Sequence, residues 1–452
     1  MWKYFFQGTI DSEVRNNKHK IAKDVNSISI DLQSKYRQSF KTQKAIKLAV
    51  ITQFYPPDYA ATGQLIEELV RHLGLYGIDI DVFTGQPGYA FATTKAPSLE
   101  RFYQVRIKRS RITRMWSNRI RGKTVNGVLF AVRAAIHILK VWRSRNVLLL
   151  TTAPPFLPVL GYLANLLFGI PYVCLLYDLY PDIAIALKVI PKNHWLARCW
   201  QFVNRQVWRK AKKIVVLSEA MKQQVVANCP EVADKISVIH SWADPDLITP
   251  LNKKNNWFAR KYNLVNKFTV LYSGNMGRCH DIDTIIDVAK ELQNEPIQFV
   301  CVGGGVKRQE LIEEVNRLGL EKKFVFLPYQ DKNVLPYSLT ACDLSLVSVN
   351  AGFENLVAPS KLYSALAAGR AVAVICPENS YLKQLIAKAK CGSTFNNKSS
   401  HALATFIRQL NNERQLAENM GKSGRKYLQS NFTLDVISKE YLEVLYQAIL
   451  SK

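Results

Sequence analysis

The sequence predicts an α/β protein made of two doubly wound, Rossmann-like domains that face one another across a cleft. Apolar runs of strand length, such as AIKLAVITQF from Ala45, alternate with segments whose apolar residues recur at helical spacing, such as GQLIEELVRHLGLYG. Unbroken apolar runs suit strands buried on both faces, as parallel sheets require. The alternation thins between Asp244 and Lys267, where Pro245, Pro250 and NKKNN intervene, and then begins afresh. Two α/β units of similar size make a cleft, the preferred ligand position for such sheets.

Residues 1–44 read as an extension, partly disordered. MWKYFFQGTI is apolar only briefly and gives way to a polar, Lys-rich stretch, which is not the pattern of a secretory signal. Trp2, Tyr4, Phe5 and Phe6 are candidate surface anchors. Residues 45–248 form the first domain, with strands at AIKLAVITQF, IDIDVFTG, VLLLTT, PYVCLLYD, KIVVLS and KISVIHS. Residues 249–430 form the second. Its order is strand FTVLYSGNMG, helix DIDTIIDVAKEL, strand IQFVCVGGG, helix KRQELIEEVNRLG, strand FVFLPY, helix VLPYSLTAC and strand LSLVSV. A helix after Pro359 and the strand AVAVIC complete it. Residues 431–452 are expected to be a helix packing back on the first domain.

Composition narrows the class. An apolar fraction of 48% in 452 residues excludes wholesale disorder. Eight cysteines without a C-x-x-C pair suit a reducing compartment and speak against a disulfide framework or a zinc site. The seven histidines show no ligand spacing, and no metal is expected. Asp79 and Asp81 lead into a strand, while Asp281 and Asp283 sit where a helix begins and carboxylates are favourable.

The net charge of +26 is unevenly placed: Arg101 to Arg145 holds thirteen Lys or Arg and no acid, and the acid-free stretch runs on to Tyr177. Such a field attracts a polyanion, whether nucleic acid, anionic lipid or phosphorylated substrate. Val147–Tyr177 is uncharged for 31 residues, and a membrane span needs about 20. Its prolines and glycines fall where a strand, a helix and a second strand would start and stop, so no span is expected. The flanking segments GVLFAVRAAIHILKVWRSR and HWLARCWQFVNRQVWRKAKK set Trp142, Trp195, Trp200 and Trp208 among Arg and Lys. That composition belongs to amphipathic helices lying on an anionic membrane surface.

Three strand-to-helix turns in the second domain point to a nucleotide diphosphate. In LYSGNMGRCHDID, Gly274 and Gly277 let the backbone approach phosphate oxygens, and Arg278 can add a charge-assisted contact. In FVCVGGGVKRQEL, Gly303 to Gly305 end a buried strand, followed by Lys307 and Arg308. In PSKLYSALAAG, Pro359 and Ser360 start a helix and Lys361 lies in its first turn, against the helix dipole. An anion held there would resolve that conflict. In YDLYPD, Asp178 closes a buried strand at its carboxyl end, which makes it the leading candidate for acceptor contact, with Tyr180 and Asp182 behind it.

The segments ITQFYPPDYAATGQLIEELVRHL, LLYDLYPDIAI, IVVLSEAMK, VIHSWADPDLITP, LYSGNMGRCHDIDTII, VGGGVKRQEL and APSKLYSALAAGRAVAV, in this order, resemble retaining glycosyltransferases of family 4, which have the GT-B fold. The similarity runs from about Lys47 to the C-terminus and is greatest with the exopolysaccharide and colanic-acid branch. It implies a nucleotide-sugar donor in the second domain and an acceptor in the first. By this resemblance the catalytic set is Lys361, Arg278 and Gly63. The donor contacts are Gly274, Asn275, Gly277, Gly303, Gly305, Tyr329, Glu354, Ser360 and Ser364. The nucleotide diphosphate sugar is a co-substrate, and no cofactor is implied.

The chain departs from the family pattern. Many members have two glutamates spaced E-x7-E, where this chain has Leu356 and Ser364; Glu354 is the nearest substitute. Many have Arg and Lys where this chain has Asn275 and His280, and His280 reads as a helix-start residue. The expectation is sugar transfer with retention to a lipid-linked saccharide in surface-glycan synthesis. The enzyme would be peripheral on the cytoplasmic face of the membrane, with an anionic membrane surface as partner and no nucleic acid. A nucleic-acid-binding protein would account for the charge but not for two Gly-turned α/β domains. A nicotinamide-dependent sugar-modifying enzyme needs G-x-G-x-x-G after the first strand, which QFYPPDYAATG lacks.

Overall fold

The computed structural model describes residues 45–58, 60–87, 96–110 and 120–450, the side chains of 120–124 excepted. The expected extension and its aromatic anchor residues lie outside these. The first domain runs β1 (Lys47–Ile51), α1 (Ala61–Leu75), β2 (Asp79–Thr84), β3 (Leu99–Phe102), β4 (Val105–Arg109), α2 (Ile120–Val141), β5 (Val147–Thr151) and α3 (Pro158–Phe168). It continues with β6 (Tyr172–Leu176), α4 (Asp182–Ala186), α5 (Trp195–Lys210), β7 (Lys213–Val216), α6 (Glu219–Asn228) and β8 (Ile236–Val238). The strands form one sheet in the order β3-β4-β2-β1-β5-β6-β7-β8, parallel except for the edge strand β3.

The apolar runs sit at its centre. Leu48 lies opposite Ile80 on one side and Val147 on the other, and β1, β5 and β6 are buried almost throughout. Val147–Tyr177 is strand, helix, strand. Proline opens α3, and Gly169 ends it in the left-handed conformation, φ 68°, which a residue without Cβ adopts at little cost.

The second domain comprises α7 (Trp257–Lys261), β9 (Phe268–Ser273), α8 (Asp283–Glu291), β10 (Ile297–Val302), α9 (Lys307–Arg317), β11 (Phe324–Leu327), α10 (Leu335–Thr340) and β12 (Leu344–Ser348). After these come α11 (Lys361–Ala367), β13 (Ala371–Ile375), α12 (Tyr381–Ala389), β14 (Gly392–Phe395), α13 (Ser400–Asn412), α14 (Arg414–Asn431) and α15 (Leu434–Leu450). Its six strands are all parallel, in the order β11-β10-β9-β12-β13-β14. The fold class is therefore the expected one. Helix α15 leaves this domain and packs on α1 and on β5, β6 and β7.

The two halves meet at several points. Asp178, just beyond β6, forms an antiparallel bridge with Val357, and Leu179 N–H donates to the Leu356 carbonyl at 3.4 Å. His240 Nδ1 and the Tyr363 hydroxyl are 3.0 Å apart. Arg425 on α14 donates to the carbonyls of Ile248 and Pro245, both at 2.7 Å, and so ties down the connecting segment.

The basic run is less one-sided in space than in sequence, which corrects the expectation. The β3–β4 hairpin spans its start, and acids from outside the run neutralise three of its cations. Arg106 meets Asp81 at 2.5 Å, Arg145 meets Asp79 at 2.8 Å, and Arg109 pairs with Glu100. Burial alone would raise the Asp81 carboxyl; His137 at 3.5 Å and Arg106 hold it at a pKa of about 2. Asp281 caps α8, accepting from the Thr284 N–H and hydroxyl. Both aspartate pairs thus contain a carboxylate fixed by the fold.

Candidate active site

The cleft is built at the carboxyl ends of β9, β10 and β12, which face the end of β6 across the domain boundary. After β9 the chain turns at Gly274, and after β10 at Gly303. The turns interlock: Gly274 N–H donates to Val302 O at 2.8 Å, Met276 N–H to Gly304 O at 2.7 Å, and Lys307 N–H to Met276 O at 3.0 Å. The fit leaves no room for side chains. A Cβ on Gly303 would lie 2.1 Å from Gly274 O, and one on Gly305 would lie 2.5 Å from Asn275 Oδ1 and from Met276 O. Both residues have positive φ, 133° and 124°, so glycine is required twice over. Tyr329 stands beside Gly304. Asn350, after β12, holds the loop from the other side, donating to Cys279 O through its backbone N–H at 2.9 Å and to Arg278 O through its side chain at 3.1 Å.

Lys361 opens α11 and reaches into this loop. Its ammonium sits 3.9 Å from the centroid of the Tyr272 ring, donates to the Tyr272 hydroxyl, and reaches Asn275 O at 3.2 Å. The hydroxyl also donates to Asn275 O, at 3.2 Å. Neither partner is an anion. A ring face and two oxygens orient the charge without neutralising it, and burial pulls the ammonium down to a pKa of about 7. The Cε lies 3.5 Å from where a Cβ on Gly274 would be. A ligand phosphate entering the loop would supply the missing counter-charge.

His280 belongs to the site, which corrects its reading as a mere helix-start residue. Its Nδ1 accepts from Gly277 N–H at 3.1 Å, so the ring is neutral and carries its proton on Nε2. Burial, then the charges of Lys361 and Lys307, hold its pKa well below the ordinary histidine value. Lys307 is turned inward, with Nζ on His280 O at 3.0 Å. Tyr272 and His280 were the residues that sequence reasoning missed. The available signals were an aromatic near the end of a buried strand, two positions before a Gly turn, and an imidazole three positions after Gly277.

Across the cleft, Asp178 stands near Cys279 and Tyr180. Its backbone N–H donates to Thr152 Oγ1 at 3.3 Å, and burial raises its carboxyl to a pKa of about 6. Tyr180 stacks on Trp200 at 5.9 Å, with its hydroxyl pushed up chiefly by burial.

Other predicted residues lie elsewhere or have other work. Asp182 turns to α6, where it accepts from Gln224 at 2.8 Å and Asn228 at 3.3 Å, and this removes its carboxylate from the cleft. Gly63 is buried in α1, and a Cβ there would lie 2.9 Å from the backbone of Phe54 and Tyr55, so its close approach is to the protein's own loop. Glu354 is tied to its own turn, accepting from Gly352 N–H at 2.7 Å, with Asn379 at 3.4 Å. Ser364 donates back to the Lys361 carbonyl at 3.3 Å, and Ser360 precedes α11 without a side-chain cap. The Arg278 side chain is exposed beside the loop.

Two family models match this chain. Residues 61–242 match the glycosyl transferase 4-like domain and residues 254–427 match glycosyl transferases group 1. The chain belongs to the glycosyltransferases of GT-B fold, with one of these domains in each half. It is 25% identical over 343 residues to the probable glycosyltransferase WbjE of Pseudomonas aeruginosa, an alignment covering 74% of this chain and 82% of that one. The sucrose-phosphate synthase of Thermosynechococcus elongatus has a similar fold, with a TM-score of 0.71 at 16% identity over 90% of this chain and all of that one. So does HepE of Anabaena, solved with UDP-glucose, with a TM-score of 0.65 at 15% identity over 88% and 99%.

Proposed function

We propose that this glycosyltransferase takes its sugar from a nucleotide diphosphate sugar and gives it, with retention of configuration, to a lipid-linked saccharide during synthesis of an exopolysaccharide or other surface glycan. The observation that carries the reading is Lys361: a cation buried against an aromatic ring, beside two interlocked glycine turns, with no carboxylate partner among the described residues. Such a group is matched to a diphosphate, whose charge grows as the glycosidic bond breaks. The neutral His280 ring offers an N–H donor next to it. Leaving-group stabilisation and positioning then do the catalytic work, with no nucleophile assigned. Asp178 and Tyr180 face this loop from the first domain, where the acceptor would lie.

In this reading no metal is required, and the enzyme works at the cytoplasmic face of the membrane, peripheral to it. HepE is seen with UDP-glucose, which makes a UDP-sugar the first donor to try. Thermal-shift screening against UDP, GDP and ADP sugars should give one stabilising class. Transfer of that sugar to a lipid extract, with the product's anomeric configuration read by NMR, tests acceptor and stereochemistry together. The same assay with a chelator present should run unchanged. Transfer only to water-soluble acceptors, or with inversion, would overturn the corresponding part.

A further inference from the structure

We propose that helices α2, α3 and α5 form a single docking face for an anionic lipid bilayer, and that this face sets the cleft at headgroup level. The proposal deepens the reading of a lipid-linked acceptor and rests on it for its purpose. Right-handed crossovers place these three helices on one side of the first sheet, opposite α1 and α15, and α3 packs between the other two. Each leaves an apolar row outside. On α2 it is Val128, Val132, Ile136 and Leu139, each about half exposed and spaced along one stripe, while Phe130, Ala134 and Ile138 go into the core. On α3 it is Leu163, Leu166 and Leu167, the last 71% exposed. On α5 it is Trp195, 67% exposed, and Phe202. Trp142, at the end of α2, stacks on Phe168, at the end of α3, at 4.6 Å and joins the first two rows. Val125–Ser144 is long and apolar enough to cross a membrane, yet its inner stripe is committed to the sheet, so it can offer a bilayer only its outer side.

The charge around these rows selects the occupant. From Arg101 to Ser218 the sequence has 21 Lys or Arg and two acids, Asp178 and Asp182, and of these cations Arg106, Arg109 and Arg145 are paired with Asp81, Glu100 and Asp79. The remainder is nearly balanced, with 40 cations and 33 acids. None of the three helices contains Asp or Glu. Lys140 and Arg198 are exposed on them, Arg143 is exposed in the turn that follows α2, and Lys188 and Lys192 lie exposed before α5. A second copy would set cation against cation, and nucleic acid would leave the leucine and valine rows unused. A bilayer of anionic lipid answers both features, with apolar residues in the acyl boundary and cations at the headgroups. The helices cross back from the carboxyl-end side of the sheet, through connections of several residues or more, so their N-terminal ends lie toward the cleft that holds Asp178.

The test uses the full chain and vesicles of phosphatidylcholine and phosphatidylglycerol in equal parts. The wild type should sediment with them, be partly released by salt, and bind pure phosphatidylcholine weakly. The exposed-site variant Val132→Glu/Leu167→Glu should lower partitioning about tenfold or more, and Lys140→Glu/Arg143→Glu should remove the salt-sensitive part. Both should keep the wild-type melting temperature and nucleotide binding. Lipid brominated in the acyl chain should quench fluorescence in the wild type more than in Trp195→Phe. Unchanged partitioning of Val132→Glu/Leu167→Glu, no vesicle binding by the wild type, or a lipid-independent dimer broken by the same substitutions would each overturn the docking face. If the face docks but only soluble sugars accept, the docking stands and the lipid-linked acceptor falls. If lipid-linked acceptors react equally with wild type and variant, the acceptor stands and the face falls.

Discussion

The Lys361 ammonium stands over the Tyr272 ring, 3.9 Å from its centroid, and donates to that ring's hydroxyl. Tyr272 is the penultimate residue of β9 and Lys361 begins α11, so the contact joins residues 89 positions apart at the mouth of one sheet. A cation on a π face is oriented and only partly compensated. Its full partner is left for the ligand.

Replacing Lys361 with Met should therefore separate function from stability. Loss of the charge-assisted contact should weaken nucleotide diphosphate binding by about 1.5–3 kcal/mol and slow turnover about a hundredfold or more. The apo protein should melt a few degrees higher, since no buried ammonium remains to be desolvated. Calorimetry with nucleotide diphosphate and a thermal melt without it check the two halves.

Nucleotide binding should also depend on pH. The free Lys361 ammonium has a pKa of about 7, and an entering diphosphate raises it. Binding thus takes up a proton above pH 7, and affinity should fall about tenfold per pH unit from there until the bound-state pKa is reached. Titrations in two buffers of different ionisation enthalpy would reveal that uptake; an affinity flat from pH 6 to 9 would refute it.

Asp178→Asn should chiefly alter acceptor use. Burial raises the Asp178 carboxyl to about 6, so it is ionised above that pH and protonated below. Its contribution should appear as pH rises through 6, giving kcat/KM for acceptor an acid limb that the Asn variant lacks. Donor affinity should stay within about twofold, since the residue lies on the first domain's side of the cleft.

Gly303→Ala should damage the donor pocket from inside. Its new Cβ would meet the Gly274 carbonyl at 2.1 Å, at a φ of 133° that alanine rarely adopts. Destabilisation of about 2–4 kcal/mol and loss of nucleotide-induced stabilisation should appear in denaturant melts. Arg425→Ala should cost a similar amount by releasing the carbonyls of Ile248 and Pro245, while leaving nucleotide affinity near wild type.

What the sequence determined by itself was local and periodic. Apolar runs at β1, β5 and β6 read best as strands buried on both faces, and the Gly turns after β9 and β10 marked where the chain must bend sharply. These fixed the two-sheet class, the strand–helix–strand reading of Val147–Tyr177 and the place of Lys361 at a helix start. What only the tertiary structure decided was partnership between distant residues. Arg106 is discharged by Asp81, and Asp182 is drawn to Gln224. His280 is locked by Gly277, and Lys361 is laid on Tyr272. Periodicity reports which face of an element is buried, whereas a side chain's charge, tautomer and availability depend on what meets it across the fold, and that is settled only when the sheets assemble.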